Sequence, residues 1–191
     1  MENDRKNQIV KAAVKRFARH GLKKTTLAEI AGDLRIGKAT IYHYFSSKEV
    51  LFYAALKYDA SLYLEDLKNI FNNESLGLKE RFVEYFQYKD SLQERYKLLF
   101  NLFVSPLISE EYKIESETVK EIIESEEEIV KLALSSLYSN KIESMNPVLP
   151  SFLVYSSWGL MFGNRLKNII TPEAQTDMSE LINKSLENIF G

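Results

Sequence analysis

Helical spacing of apolar residues runs along almost the whole chain, and this feature most limits the folds that are possible. Between successive breaks the apolar side chains recur at helical intervals, and no segment shows sustained alternation of apolar and polar residues with turn signals. Only 7 glycines and 4 prolines interrupt the pattern. Three prolines follow a helix-capping residue, in the pairs Ser105-Pro106, Asn146-Pro147 and Thr171-Pro172, and Pro150 is predicted to lie within a first turn. The pattern predicts an all-α protein.

The composition argues against several classes of protein. With 191 residues, 45% of them apolar, the chain has the size at which roughly 70% of the unfolded surface is buried on folding. It contains no cysteine and 2 histidines, which argues against disulfides, thiol chemistry and a transition-metal site. No apolar run approaches the ~20 residues of a membrane span, and the N-terminus does not have the pattern of a secretory signal. We therefore expect a soluble, cytoplasmic protein with no cofactor, no metal and no membrane partner.

Positive charge is concentrated in the first third of the chain. Residues 1–57 contain 12 Lys or Arg and 5 Asp or Glu, whereas the remaining residues contain 13 and 22, for a net charge of −2 overall. A basic head on an acidic body is typical of a phosphate-facing module joined to a part that meets other partners. Basic surfaces are also common on proteins that bind no nucleic acid, so the local pattern has to decide.

The first residues form an apolar helical stripe that ends at Gly21, the position of a helix C-cap. The stripe consists of Ile9, Val10, Ala13, Val14 and Phe17. Thr26 and Glu29 then form a capping box for a second helix. These residues predict two consecutive helices before residue 35.

The connection Arg35-Ile36-Gly37 leads to a third helix, predicted from Lys38 to about Phe45. Ser46 and Glu49 form a further capping box, which is expected to start a longer fourth helix. Ile36 and Ile41 are expected to pack inside this region. Two short helices joined by a three-residue turn are typical of a helix-turn-helix motif.

Residues Ile9 to Leu56 resemble the DNA-binding domain of the TetR/AcrR family of bacterial transcriptional regulators. The matching positions include Phe17, Gly21, Thr26, Ile30-Ala31, Lys38, Thr40, Tyr42, Tyr44-Phe45 and Ser47-Lys48-Glu49. Two positions depart from the family pattern, since Arg35 stands where the turn normally has Gly and Gly37 stands where the cap is normally Ser or Thr. A positive φ at Arg35 would cost roughly 1–2 kcal/mol, whereas Gly caps only slightly less well.

The resemblance implies an architecture and a set of partners. It implies an N-terminal three-helix DNA-binding domain over residues 1–47, joined by a long helix to a helical effector-binding and dimerisation domain over residues 48–191. The implied partners are a palindromic operator in double-stranded DNA, a second copy of the chain, and a small-molecule effector of unknown identity.

Seven residues are expected to contact DNA: Thr26, Lys38, Ala39, Thr40, Tyr42, His43 and Lys48. The N-terminal part of the second helix of such a motif enters the major groove, where Lys donates to guanine or phosphate and Ala and Thr methyls pack on thymine. Thr26 is expected at a phosphate near a helix N-terminus. The resemblance implies a phosphate contact for Lys48. The alternative for His43 is a half-exposed surface ring, and Tyr44 and Phe45 are expected in the core.

The body of the chain is rich in aromatic residues, most of which are expected to be core. In the family the middle helices enclose a ligand pocket, which an aromatic lining with a few polar groups would suit. The residues predicted to line it are Tyr85, Phe86, Phe100, Asn101, Phe103 and Trp158. The acidic run 124–128 is interpreted as the solvated face of a helix.

The last two helices carry apolar stripes wide enough to need a partner surface. From Phe152 to Ile169 the apolar positions step as in a coiled coil, and Gly159 and Gly163 would allow another helix to approach closely. The predicted dimer interface consists of Phe152, Tyr155, Gly159, Phe162, Gly163, Leu166, Leu181, Ile182 and Ile189. The alternative is that these stripes pack only within one chain.

Three functions are compatible with a chain of this kind. The first is a one-component transcription regulator, a repressor by family analogy, that is released from DNA by a small molecule. The second is a dimeric DNA-binding protein that is regulated by a protein partner or has no small ligand. The third is a helical enzyme, which we do not expect because no nucleophile motif or phosphate-binding loop is present.

Overall fold

The computed structural model describes residues 2–104, 113–135, 145–170 and 178–190, and within them it contains helices and no strand, which confirms the predicted all-α fold. The helices are α1 (Glu2–Lys24), α2 (Leu27–Asp33), α3 (Lys38–Tyr44), α4 (Lys48–Phe71), α5 (Leu78–Asp90), α6 (Leu92–Arg95), α7 (Lys97–Val104), α8 (Lys113–Ser135), α9 (Leu149–Ile170) and α10 (Met178–Phe190). The pairs Ser105-Pro106 and Thr171-Pro172 lie outside the described residues.

The chain divides into two compact units. Unit 1 consists of Met1–Tyr63 and Gln93–Val119, and unit 2 of Leu64–Leu92 and Lys120–Gly191. The long helix α4 contributes to both. Unit 1 thus contains α7 in addition to the three N-terminal helices, so the compact units do not follow the predicted boundary at residue 47, which remains a prediction about function.

The core of unit 1 begins with the predicted stripe on α1. Ile9, Ala13 and Phe17 are fully buried, and Val10 nearly so. The helical path breaks at Gly21, where φ is 71° and ψ is 172°. This backbone conformation is almost confined to glycine, which explains why a glycine ends the stripe.

Helices α2 and α3 form the predicted helix-turn-helix. Leu27, Ile30 and Ala31 bury one face of α2, while Ile41 is the buried residue of α3. Ile36 is only half-buried. Between the helices Arg35 has a φ of 53°. This is the left-handed backbone conformation that the sequence analysis identified as strained for a residue other than glycine.

The start of α4 differs from the prediction by one residue. The backbone N–H of Val50 donates to Oγ of Ser47 at 3.2 Å, so Ser47 caps the helix, and the predicted capping box of Ser46 and Glu49 is wrong. Because α4 begins at Lys48, Ser47 and not Ser46 is the residue that immediately precedes the helix.

Helix α7 packs against α1 within unit 1. Nδ2 of Asn101 donates to the carbonyl oxygen of Ala18 at 3.2 Å. The carboxylate of Asp59 on α4 accepts from the backbone N–H of Leu99 at 3.0 Å, a donor in the first turn of α7 that has no partner within the helix. These two side chains therefore fix the position of α7.

Unit 2 is built on α5, which packs against α9 and α10. An aromatic cluster fills its centre, with Phe71 and Phe82 5.0 Å apart and Phe82 stacked on Phe190 at 4.9 Å between ring centroids. The loop before α5 is held by the Arg81 guanidinium, which donates to the carbonyl oxygens of Phe71 and Leu76, both at 2.9 Å.

Asn146 caps the turn that precedes α9. Its Oδ1 accepts from the backbone N–H of Val148 at 3.0 Å. Pro147 lies in this turn, two residues before the helix instead of at its first position, while Pro150 lies in the first turn as predicted. Among the described residues no helix is both long enough and apolar enough to cross a membrane.

Candidate functional sites

Helix α3 presents one face to solvent and the other to the core of unit 1. Lys38, Ala39, Tyr42 and His43 are exposed and Thr40 is half-buried, whereas Ile41 and, just after the helix, Phe45 are buried. The structure thus brings five of the seven predicted DNA-contacting residues together on one short helix. Buried apolar anchors on the opposite side hold that helix in place.

Two exposed side chains of α3 contact each other. Nζ of Lys38 lies 5.4 Å from the centroid of the Tyr42 ring, a cation–π distance, and Tyr42 is 49% exposed. Lysine and tyrosine therefore form one patch at the start and middle of the helix, with hydrogen-bond donors available to bases or phosphates.

Thr26 is engaged by Glu29 in the predicted capping box. The Thr26 hydroxyl donates to the Glu29 carboxylate at 2.8 Å and accepts from the Glu29 backbone N–H at 3.3 Å, and the Thr26 backbone N–H donates to the same carboxylate at 2.8 Å. Hydrogen bonds from the Thr26 backbone and side chain lower the pKa of Glu29. The capping box is confirmed, and a phosphate contact by Thr26 remains a prediction.

Lys48 has a partner inside unit 1. Its Nζ donates to the carbonyl oxygen of Leu22 at 2.8 Å, which ties the first turn of α4 to the chain just beyond the break at Gly21. This hydrogen bond gives Lys48 a structural role beside the predicted phosphate contact. A lysine at a helix N-terminus opposes the helix dipole, and the Leu22 carbonyl offsets that cost.

A bidentate pair of hydrogen bonds, the Arg16–Asp33 fork, joins α1 to α2. Nε and Nη2 of Arg16 donate to the two carboxylate oxygens of Asp33 at 2.5 and 2.6 Å, and this interaction lowers the pKa of Asp33. Bidentate pairs of this kind fix geometry as well as charge. The pair orients the helix-turn-helix, and nothing in the sequence pattern indicated it, because the partners lie on different helices.

Helix α9 carries an exposed apolar face in unit 2. Phe152, Tyr155 and Leu166 are 56%, 61% and 58% exposed, and Gly159 and Gly163 lie open on the same helix, where an added Cβ atom would meet nothing within 4 Å. Phe162 and Ile189 are half-buried. Six residues of the predicted dimer interface are thus exposed or half-buried on one helix.

Leu181 and Ile182 of the predicted interface lie in the first half of α10. Ile182 is only 4% exposed and packs inside its own chain, so a dimer contact by this residue stays a prediction that the burial does not favour. The apolar stripe of α10 points in part toward α5, against which this helix packs. The side chain of Leu181 lies outside the described residues.

A buried polar cluster joins three helices of unit 2. Lys89 on α5 forms an ion pair with Glu126 on α8, and both side chains are fully buried. The hydroxyl of Tyr85 donates to Glu126 at 2.5 Å and lies 2.8 Å from Oγ of Ser157, while Nε1 of Trp158 donates to the other Glu126 oxygen at 3.1 Å. We call these five residues the buried cluster.

Burial shifts the pKa values of two residues in the buried cluster, Lys89 and Tyr85. Burial lowers the pKa of Lys89 to about 8, although Glu126 opposes the shift. Burial and the neighbouring Glu126 raise the pKa of Tyr85 well above its usual value. Nζ of Lys89 also lies 3.8 Å from the centroid of the Trp158 ring, so the ammonium is held between a carboxylate and an aromatic face.

The sequence interpretation of residues 124–128 is wrong for Glu126, which is fully buried. A signal was present, because Glu126 lies four residues from both Ile122 and Val130, which are buried on the same face of α8. Lys89 likewise follows buried Tyr85 by one turn. Helical phase would have identified both residues as inward-facing.

The six residues predicted to line an effector pocket fall in two compact units. Tyr85, Phe86 and Trp158 belong to unit 2, whereas Phe100, Asn101 and Phe103 belong to unit 1. In unit 2 Tyr85 and Trp158 already hydrogen bond to Glu126, and in unit 1 Asn101 bonds to α1. A pocket formed by all six remains a prediction.

Comparison with known proteins agrees with the helix-turn-helix formed by α2 and α3. A family model of bacterial regulatory proteins, tetR family, matches residues 9–55. The uncharacterized HTH-type transcriptional regulator YerO of Bacillus subtilis is 37% identical over 68 residues, 36% of this chain and 24% of that protein. The HTH-type transcriptional regulator RutR of Escherichia coli is 25% identical over 154 residues, 81% of this chain and 70% of that protein.

A similar fold is found among solved structures. The transcriptional regulator FadR of Bacillus subtilis, in complex with stearoyl-CoA, superposes with a TM-score of 0.63 at 20% identity, over 94% of this chain and 95% of that one. The matches with the first curated relatives span only about a quarter of those proteins.

The exposed second helix of the motif and its buried supports define a DNA-binding helix-turn-helix protein. The chain is thus similar to bacterial regulatory proteins of the tetR family over residues 9–55, and to the HTH-type transcriptional regulator RutR over 81% of its length.

Proposed function

We propose that this protein is a one-component transcriptional repressor that binds a palindromic operator as a homodimer and is released by a small-molecule effector. The observation that carries the proposal is the exposed face of α3, where Lys38, Ala39, Tyr42 and His43 are open to solvent above a buried Ile41. Two such helices in a symmetric dimer would read half-sites about 34–36 Å apart.

The exposed apolar face of α9 supports the dimer. Phe152, Tyr155 and Leu166 expose large apolar side chains on one helix, beside two glycines that leave room for a second helix. Contiguous apolar surface of this kind marks association sites. The proposed dimer places the α9 helices of two copies against each other.

The effector is proposed as a small organic molecule. FadR of Bacillus subtilis, which shares the fold, was solved with stearoyl-CoA, and the aromatic side chains of unit 2 would suit an apolar ligand.

A second candidate is a dimeric DNA-binding protein without a small ligand. The buried cluster favours it, because the polar groups of Tyr85 and Trp158 already satisfy one another through Glu126.

Selection of binding sites from a random double-stranded DNA library tests the proposal. We expect enrichment of an inverted repeat with half-sites about one helical turn apart. Enrichment of single half-sites would contradict the dimer, and no enrichment with folded protein would contradict the DNA-binding function. A change of operator affinity with added small molecules then separates the two candidates.

The role of Lys48 is tested with the selected operator. Lys48→Ala should weaken binding to all sequences similarly and reduce the slope of log affinity against log salt concentration by about one. Thr40→Ala should instead alter sequence preference. Lys15→Ala, which removes an exposed base of α1, serves as the matched control. An unchanged salt slope for Lys48→Ala would leave only the hydrogen bond to Leu22 as its role.

A further inference from the structure

Unit 1 contains a cavity that the proposed DNA contacts do not use. It lies among α1, α4 and α7 and has a volume of about 280 Å³. This is near the lower end of the ~300–1,000 Å³ range of small-molecule sites, so its occupant would be small. Of the residues predicted from the sequence to bind an effector, Asn101 alone lines it.

The inner wall of the cavity is apolar and well fixed. It is formed by Phe17, Phe52, Leu98 and Leu102, all of them buried. The rings of Phe17 and Phe52 pack edge to face with centroids 5.0 Å apart. Such a wall is preformed for an aromatic or aliphatic body, because its side chains are already ordered by packing against each other.

The rim of the cavity is basic. It includes His20, Lys23 and Lys24, and among the residues that the structure describes no acidic side chain lines the cavity. Within the described part of the chain, neither lysine forms an ion pair. Glu29 interacts electrostatically with His20, but its carboxylate is held by Thr26, so the two lysines set the sign of the rim.

We propose that this cavity is a binding site for a small carboxylate with an apolar body, the body lying against Phe17 and Leu102 and the carboxylate meeting Lys23 and Lys24. The side chain of Asn101, already positioned by its hydrogen bond to Ala18, adds a polar group to the lining. Ligand binding is measured without DNA, so the result tests this proposal independently of the proposed repressor function.

Isothermal titration of the full chain with phenylacetate and hexanoate tests the site, with phenylacetamide and hexanamide as neutral partners of the same shape. We expect the acids to bind at least tenfold more tightly than the amides. Methyl spectra of protein labelled at leucine should show shifts at Leu98 and Leu102. Equal binding of acids and amides, or shifts elsewhere only, would overturn the proposal.

Two test variants and one control variant complete the test. Lys23→Gln combined with Lys24→Gln changes only exposed side chains and should weaken acid binding about three- to tenfold, as expected for exposed charge pairs, without changing amide binding. Lys15→Gln is the matched control and should have no effect. Leu102→Phe should fill the cavity and abolish binding of acids and amides alike. Unchanged acid binding by the double lysine variant would refute the role of the rim.

Discussion

Within the described parts of the chain three charged side chains, Asp59, Lys89 and Glu126, are buried, and each has a defined partner. Asp59 accepts the N–H of Leu99, and burial raises the pKa of Asp59 to about 6 in spite of that hydrogen bond. Lys89 and Glu126 neutralise each other. Buried charge is costly unless it is paired or hydrogen-bonded, so we expect substitution of these residues to change stability.

Asp59 makes the stability of the protein depend on pH. A carboxyl whose pKa is raised on folding contributes stability that is present below about pH 4 and is lost as pH rises through about 6. Asp59→Asn keeps an acceptor for Leu99 and removes the charge. It should raise the free energy of unfolding at pH 7.5 by on the order of 1–3 kcal/mol, with the gain vanishing near pH 4.

Urea unfolding at fixed protein concentration between pH 4 and 8 measures this effect. Asp59→Leu is the companion variant, since it removes the charge and also the acceptor for the N–H of Leu99. It should therefore be less stable than Asp59→Asn. If wild type and Asp59→Asn show the same pH dependence, the carboxyl does not titrate in this range.

The buried cluster should tolerate loss of both charges better than loss of one. Lys89→Met leaves Glu126 buried without its cation and should cost about 3–5 kcal/mol of unfolding free energy. Adding Glu126→Gln to that variant keeps an acceptor for Trp158 and should recover most of the loss. Lys131→Met breaks an exposed pair with Glu128 on the same helix and should cost less than about 0.5 kcal/mol. Equal stability of the single and double variants would show that the charges are not coupled.

At the scale of elements, the helix-turn-helix depends on a few backbone positions and on fixed contacts between helices. Gly21 and Arg35 both have positive φ, 71° and 53°, one at the break in α1 and the other in the turn before α3. The Arg16–Asp33 fork and the Lys48–Leu22 hydrogen bond tie the surrounding helices together. The orientation of α3 therefore depends on residues outside it.

Substitutions at the two positive-φ positions should act in opposite directions. Arg35→Gly relieves strain of roughly 1–2 kcal/mol but gives up part of that gain to the unfolded state, so a net stabilisation of up to about 1 kcal/mol is expected. Gly21→Ala forces a side chain into a glycine conformation and should cost about 1–3 kcal/mol. Thermal unfolding of both variants tests this, and a destabilising Arg35→Gly would mean that the Arg35 side chain stabilises the turn by more than its strain costs.

At the scale of the whole molecule, the proposed function depends on assembly. The described residues of a single chain contain one helix-turn-helix, so the proposed palindrome would need two copies to be read. The face that would join them is exposed on α9, and an added Cβ at Gly159 or Gly163 would meet nothing within its own chain. These glycines cost helix stability and gain nothing in the monomer.

Gly159 variants distinguish a dimer from a solvent-exposed helix. In a monomer Gly159→Ala should stabilise the protein by about 0.5–1 kcal/mol, and Gly159→Leu should be tolerated. In the proposed dimer Gly159→Leu should weaken association, and Tyr155→Glu should abolish it while leaving the helical content unchanged. Analytical ultracentrifugation measures the outcome, with Leu132→Glu as a control on α8, where Leu132 is 57% exposed. A full-affinity Tyr155→Glu dimer would exclude this face.

The sequence by itself determined the helical fold, the cap of α2 and the helix-turn-helix, because helix periodicity, capping and turn chemistry are local properties of neighbouring residues. Thr26 with Glu29, the break at Gly21 and the buried stripe of α1 were all predicted in this way. The one-residue error at Ser47 shows the limit of local signals at helix ends. Only the tertiary structure decided that Glu126 and Lys89 meet in the core, that Ile182 faces its own chain, that Lys48 bonds to Leu22, and that Arg16 binds Asp33. Each of these depends on which face of one helix packs against another, and that choice is made by contacts between residues far apart in the sequence.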